Sequence, residues 1–324
     1  MRTLVVCLIA SGLACAQAPP IGLVEFYGVR KIPAERVRSA IGVRTGDPLS
    51  TPKADIEERL EKVPGVVAAR VSAVCCTGDA AVLYVGIEER DAPHVEFRPP
   101  PTGNLDLSEA LLVTYRDFTA YFGGPARSED PTGPAAEAYR KNFEHLARDN
   151  AENLHRVLRE SDDTEQRAMA ADILRYAPVA RATVDDLQYA VLDSDRTVRA
   201  NAMRSLRELA VRAAADPDLG IRVEPTWFIE LLNSLDWYDR DQAATTLVSL
   251  TQVRDQGALD FMRERALAAL IDMARWKTPA HAHAAFVLVG RIAGLKEKDV
   301  QDAWSRGERE KTIKQALKVR QPSQ

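Results

Sequence analysis

Apolar residues recur along this chain with two different periods, and the change of period divides it. From Ile21 to Glu89 short β-branched runs alternate with short one-sided helical patterns, whereas from Ala135 onward the spacing is helical throughout. In the first stretch, Ile21-Gly22-Leu23-Val24-Glu25-Phe26-Tyr27 predicts a strand that breaks at Gly28. Pro33 to Ile41 predicts a short helix, with proline in its first turn and Val37, Ala40 and Ile41 on one side. After the Gly46-Asp47-Pro48 turn, Thr51 is the expected cap of a second helix reaching Val63. Its apolar face is Ala54, Ile56, Leu60 and Val63, and Glu57, Glu58 and Glu61 lie outside. Pro64-Gly65 ends that helix, and two β-branched runs follow, Val66 to Val74 and Ala81 to Ile87, joined by Thr77-Gly78-Asp79. The predicted order is β-α-α-β-β.

Residues 91–134 hold 7 of the 18 prolines, including Pro99-Pro100-Pro101, with glycines at 103, 123, 124 and 133, a composition of connection rather than core. Leu111, Leu112, Tyr115, Phe118 and Phe122 keep a helical spacing inside it, so one helix is expected there. Beyond it, the pattern D-x-x-x-R-x-x-A-x-x-x-L recurs from Asp163 with Arg167, from Asp195 with Arg199, and from Asp236 with Arg240. A degenerate fourth copy runs from His281 through Ala284 to Leu288. The steps from Arg167 to Arg199, to Arg240 and to His281 are 32, 41 and 41 residues, the intervals of two-helix repeats with variable connections. In each copy the Asp can accept from free first-turn N–H groups, the Ala admits a neighbouring helix closely, and the Leu fills the layer between repeats. Second helices are expected at Val184–Leu192, Trp227–Leu235, Leu259–Ala274 and Val300 to about Leu317, with Ala135–Leu158 capping the stack.

The first stretch resembles a POTRA (polypeptide-transport-associated) domain. The matching residues are Phe26-Tyr27-Gly28 closing the first strand, Thr45-Gly46-Asp47 between the helices, and Leu60-Glu61-Lys62-Val63-Pro64-Gly65-Val66 entering the second strand. The third strand ends on Glu88-Glu89, as in that family. The repeats resemble HEAT repeats, most closely at Asp195 with Val198-Arg199, and in that family the Arg commonly reaches polar groups of the adjacent repeat. The expected fold is therefore multidomain: a small α+β module at 21–90, a Pro/Gly-rich linker with one helix at 91–134, and an all-α solenoid at 135–324. The resemblance implies contact with other polypeptides, through strand addition along Val67, Ala69, Val71, Ala73 and Cys75 and through the repeat surface. No outer-membrane barrel is expected in the helical remainder.

The beginning of the chain supplies a compartment. Leu4 to Ala16 is apolar and small, closing on Ala14-Cys15-Ala16, which reads as a secretory leader over residues 1–16 with a mature start near Gln17. The alternative is a lipid anchor at Cys15, although Gly12 stands where such a signal normally has Leu. Export to the periplasm or the outer-membrane periphery follows from either, and no apolar run is long enough to span a bilayer. Two of the four cysteines lie in or at the edge of the leader, leaving Cys75-Cys76, which can close a ring, pair with another chain or stay reduced. With 43 Lys+Arg against 47 Asp+Glu the net charge is −4, which offers no global attraction to nucleic acid.

Catalytic and metal-binding patterns are sparse. His281 and His283 stand about 200° apart on a helix and would not chelate as an i, i+4 pair does. H-E-x-x-H, G-x-S-x-G and phosphate-loop motifs are absent, and the carboxylates suggest no acid–base pair. No enzyme activity, cofactor or metal is expected. Trp227, Trp237, Trp276 and Trp304 all fall among the repeats, either packed between them or lining a ligand groove. The leading expectation is an exported cell-envelope interaction scaffold or assembly factor. The rivals are a small-molecule binder or enzyme using the repeat groove, and a lipid-anchored structural component.

Overall fold

A computed structural model describes residues 19–77, 80–123 and 133–319. The stretch expected as a leader, with Cys7 and Cys15, lies outside the described residues, as does the Gly78-Asp79 turn. The first part is a small three-stranded mixed sheet with two helices: β1 (Ile21–Tyr27), α1 (Ala34–Ala40), α2 (Lys53–Glu61), β2 (Val66–Thr77) and β3 (Ala80–Glu89). The strand order is β1-β3-β2, with β1 parallel and β2 antiparallel to the central β3. Both hairpin strands run further than their β-branched cores predicted. Thr51 does not cap α2: Pro52 occupies the N-cap and no side chain caps the helix. Pro52 itself is extended (φ −54°, ψ 136°), so helical geometry begins at Lys53, one step later than the cap pattern suggested.

Alternate residues of the sheet point to two cores. Ile21, Ala69, Val71, Leu83, Val85 and Ile87 pack beneath α1 and α2 with Val37, Ile56 and Leu60. Tyr27, Val74, Val82 and Tyr84 belong instead to the core of the helical part. Glu89 closes the module: its carboxylate accepts from the N–H groups of Arg30, Lys31 and Ile32 at 2.7–3.0 Å. Burial acts to raise its pKa, but those three donors and the Arg30 charge outweigh it and hold the group below the usual carboxylate range.

The remainder is helical. After α3 (Glu109–Gly123) and α4 (Pro134–Asp149) come helix pairs: α5 (Ala151–Glu160) with α6 (Thr164–Ile173), α7 (Arg181–Ala190) with α8 (Arg196–Ala215), α9 (Thr226–Leu231) with α10 (Trp237–Leu250), and α11 (Gln256–Ala274) with α12 (Pro279–Ile292). Helices α6, α8, α10 and α12 pack successively in one layer. The stretch expected as one last helix is two, α13 (Glu297–Ser305) and α14 (Arg309–Ala316), because Gly307 takes a left-handed conformation (φ 70°) that stops the first. The Ala135–Leu158 stretch is likewise divided, at Asn150.

Asp163, Asp195 and Asp236 are the N-caps of α6, α8 and α10, each accepting from a first-turn N–H. The recurring spacing of the motif continues inward. Ala170, Ala202 and Ala243 are fully buried, as are Leu174, Leu206 and Leu247. The arginines form a ladder between pairs. Arg167 grips Asp193 through Nε and Nη2 at 3.0 and 3.1 Å and bonds the Ser161 carbonyl through Nη1. Arg199 repeats this on Asp239, at 2.9 and 2.8 Å, and on the Asp193 carbonyl.

Arg240 makes no ion pair with a carboxylate among the described residues. Its Nε bonds the Ser234 carbonyl at 2.5 Å and its guanidinium lies 4.5 Å from the centre of the Tyr27 ring. The ladder therefore ends where the sheet docks. Tyr27 donates its hydroxyl to the Leu235 carbonyl at 2.8 Å, and Arg30 clamps Asp272 through both terminal nitrogens. A Cβ on Gly86 would meet the Leu235 carbonyl oxygen at 2.6 Å and the Tyr27 ring at 2.7 Å, so only glycine lets β3 approach this closely.

Candidate functional site

The sheet has both faces covered, so its accessible polar groups lie along its edges. Beside β1 the loop at Asp47–Leu49 approaches: Ile21 donates to the Asp47 carbonyl and accepts from Gly46 N–H, both at 2.8 Å. The outer side of β2 has no neighbouring strand among the described residues. In an antiparallel ladder alternate residues turn their N–H groups outward, here Ala69, Val71 and Ala73. Two of the three are already engaged by side chains of α2. Glu61 accepts from Ala69 N–H at 3.2 Å, and Glu57 accepts from Val71 N–H at 2.7 Å while pairing with Arg70 at 3.5 Å. Nothing among the described residues bonds the Ala73 N–H. The side chains of Ala69 and Val71 are buried under the module's own helices, and that of Ala73 packs half-buried beside them. Val67 is 56% exposed. Cys75 is exposed and disulfide-bonded. The edge therefore offers main chain, with side-chain reading limited to its two ends.

A second surface is formed by the proline-rich segment itself. Residues 92–107 run extended across the turns that join the helix pairs, bound by main-chain hydrogen bonds. Arg98 N–H donates to the Leu192 carbonyl at 2.8 Å; Gly103 N–H donates to the Glu160 carbonyl at 2.9 Å and its own carbonyl accepts from Asp162 N–H. Gln166 accepts from Leu107 N–H, and the Asn153 amide clamps Ser108 N–H and the Asp106 carbonyl. The Tyr189 ring is flanked by the guanidiniums of Arg98 and Arg159, at 3.9 and 4.0 Å, and Arg199 lies 4.0 Å from the Phe97 ring. The ladder arginine thus contacts an extended segment as well as the next repeat. Between this strap and α9 and α11 is a groove of about 640 Å³, lined by Val95, Phe97, Leu192, Trp227 and the Glu230–Arg265 ion pair.

The four tryptophans separate. Trp227 is 38% exposed and lines the groove. Trp304 is half-buried against Phe286 and His283, with the Arg309 guanidinium 4.2 Å from its ring. Trp237 and Trp276 are buried beneath the sheet. Tyr84 stacks on Trp237 with centroids 5.0 Å apart and meets Trp276 at 4.7 Å, and Tyr27 meets Trp276 edge-on at 5.9 Å. Their indole nitrogens have no hydrogen-bond partner among the described residues.

His281 completes the seam. Its Nδ1 is 2.7 Å from the Tyr84 hydroxyl, and its ring packs on Trp237 at 4.9 Å. Burial lowers its pKa from the usual 6.5, favouring the neutral ring. A base whose folded pKa is depressed binds fewer protons folded than unfolded, so stability is full above the unfolded pKa and declines as pH falls below about 6.5. Urea midpoints measured between pH 8 and pH 5 should show this decline, and His281→Gln should flatten it. An equal slope in the variant would assign the effect elsewhere.

Among the described residues no three His, Cys, Asp or Glu side chains are placed to hold a metal, and no helix is long and apolar enough to cross a membrane. Neither a protein-family model nor a curated protein matches the chain.

Proposed function

We propose that the protein is an exported cell-envelope interaction scaffold, in which a POTRA-like module captures extended polypeptide by strand addition on β2 and a HEAT-like solenoid holds it in place. One observation carries this reading: the sheet is enclosed on both faces, by α1 and α2 and by the repeats, while the outer side of β2 stays without a strand neighbour among the described residues. Main-chain hydrogen bonding along such an edge supplies affinity without requiring a side-chain pocket. Glu57 and Glu61 cap part of the edge and guard it against self-association, and an incoming strand displaces them.

A photo-reactive benzoylphenylalanine at Val67 should give a discrete cross-linked adduct in cells, whereas the same group at the exposed Val253 should not. Ala73→Pro removes an outward N–H without removing a ladder bond, and should abolish the Val67 adduct while leaving the melting temperature within a few degrees. An adduct that persists in the Ala73→Pro protein would sink the edge as the binding site. The second reading, a small-molecule site, is favoured by the groove at Trp227. Quenching of emission by a metabolite that is lost in Trp227→Phe would support it. A lipid-anchored structural role turns on Cys15, and the mass of the mature N-terminus decides it.

A further inference from the structure

We infer that the basin between α4 and α8 binds a phosphorylated small molecule or headgroup, a ligand that the scaffold reading neither requires nor supplies. Helix α4 presents Arg140, Glu144 and Arg148 at four-residue spacing, hence on one face, and α8 presents Glu208 and Arg212 in the same way. Arg175, Tyr176, Ala177 and Pro178 form the floor, and the enclosed volume is about 590 Å³. Four guanidiniums and two carboxylates line the basin, so its wall is richer in cations than in anions.

The accounting of these charges identifies the ligand class. Arg140 pairs with Glu137, and Arg175 pairs with Asp172 and Glu208, each at 3.2 Å. Arg148 and Arg212 have no carboxylate in ion-pair reach among the described residues; Arg212 bonds only the Arg175 carbonyl, at 3.2 Å. Arg175, whose side chain is 11% exposed, also keeps a buried Nε without a partner. Two guanidiniums from different helices, each without a carboxylate partner among the described residues, thus line one basin with Arg175, against Glu144 as the lining's one unpaired carboxylate. A phosphate monoester is dianionic near neutral pH and presents three oxygens to such forks, whereas one carboxylate would leave a guanidinium unmatched. The volume exceeds that of a phosphate ion. The Tyr176 ring, stacked on Phe143 with centroids 5.3 Å apart, provides an apolar floor for the sugar or glycerol body attached to the phosphate.

Calorimetric titration with glycerol 3-phosphate tests the soluble source, and flotation with vesicles of phosphatidic acid, the phosphomonoester lipid, in phosphatidylcholine, against phosphatidylcholine alone, tests the lipid source. Saturable binding in either arm is expected. The double variant Arg148→Ala/Arg212→Ala should weaken it by about tenfold or more, the loss of charge-assisted hydrogen bonds, while Arg306→Ala, an equally exposed arginine elsewhere, should not. Both arginines are exposed, so the double variant should keep its melting temperature. Absence of saturable binding in both arms would overturn the proposal. So would equal binding by the double variant, or preference for a polyglutamate peptide over both phosphate probes.

Discussion

Tyr84→Ala is expected to lower the unfolding free energy by about 3–5 kcal/mol, the usual loss for truncating a buried aromatic side chain. Tyr84 is fully buried at the centre of the contact between sheet and repeats. Its ring meets Trp237 and Trp276, and its hydroxyl lies 2.7 Å from His281 Nδ1. Truncation therefore leaves a cavity, forfeits two aromatic contacts worth about 0.5–1.5 kcal/mol each beyond their buried area, and strands a ring nitrogen. Tyr84→Phe separates these terms, because it removes only the hydroxyl and should cost about 1–2 kcal/mol. Tryptophan emission in a urea titration reads the event directly, since two of the four indoles touch this ring. The wild-type protein should unfold in one transition, because one face of the sheet, through Tyr27 and Tyr84, shares the core of the repeats. Tyr84→Ala should split it, with emission changing before the helical signal is lost. A loss under 1 kcal/mol would show that the seam is held by the Arg30–Asp272 clamp instead.

That seam was partly written in the sequence. The run Ala81-Val82-Leu83-Tyr84-Val85-Gly86-Ile87 does not alternate, and an unbroken apolar strand is one covered on both faces. Reading it as half of a β hairpin recovered the strand and missed its second neighbour. Local chemistry was the most legible: Asp163, Asp195 and Asp236 cap because a short acid before a helical run has orphan N–H groups within its own reach. Arg167 and Arg199 make the contact with the next pair that the resemblance to HEAT repeats implied; spacing alone did not name their partners. The role of Glu57 and Glu61 was not legible. Their spacing placed them on one face of α2, but that β2 lies beside that face is a consequence of tertiary folding. The prolines at 99–101 were read as part of a connection, and composition has no means of saying that such a segment is bound along its length. Gly307 was a readable signal that went unused, since an isolated glycine late in a helical pattern is a stop.

Removing one partner of the Arg199–Asp239 pair has the other large expected effect. Both side chains are almost wholly buried, 4% and 1% exposed, and the contact is bidentate. Asp239 also accepts from the Ser234 hydroxyl at 2.8 Å, and Arg199 bonds two carbonyls of the preceding turn at 2.9 and 3.0 Å. Arg199→Ala leaves a carboxylate without its counter-charge in a dry layer between α8 and α10, and should cost about 3–5 kcal/mol by urea denaturation. The cost measures an unpaired charge, not the worth of the bridge. Replacing both partners, as Arg199→Met with Asp239→Leu, should recover most of the loss, because neither charge then has to be desolvated. The double variant should nevertheless loosen the strap, since the Arg199 guanidinium also covers Phe97 and its neighbours hold Arg98. Proteolysis within residues 92–107 reports that directly: faster cleavage in a double variant of near-native stability would separate the ladder's two duties, joining repeats and holding the extended segment. Cleavage no faster than wild type would mean that the strap is held by its main-chain bonds to Leu192 and Glu160 without help from the arginine.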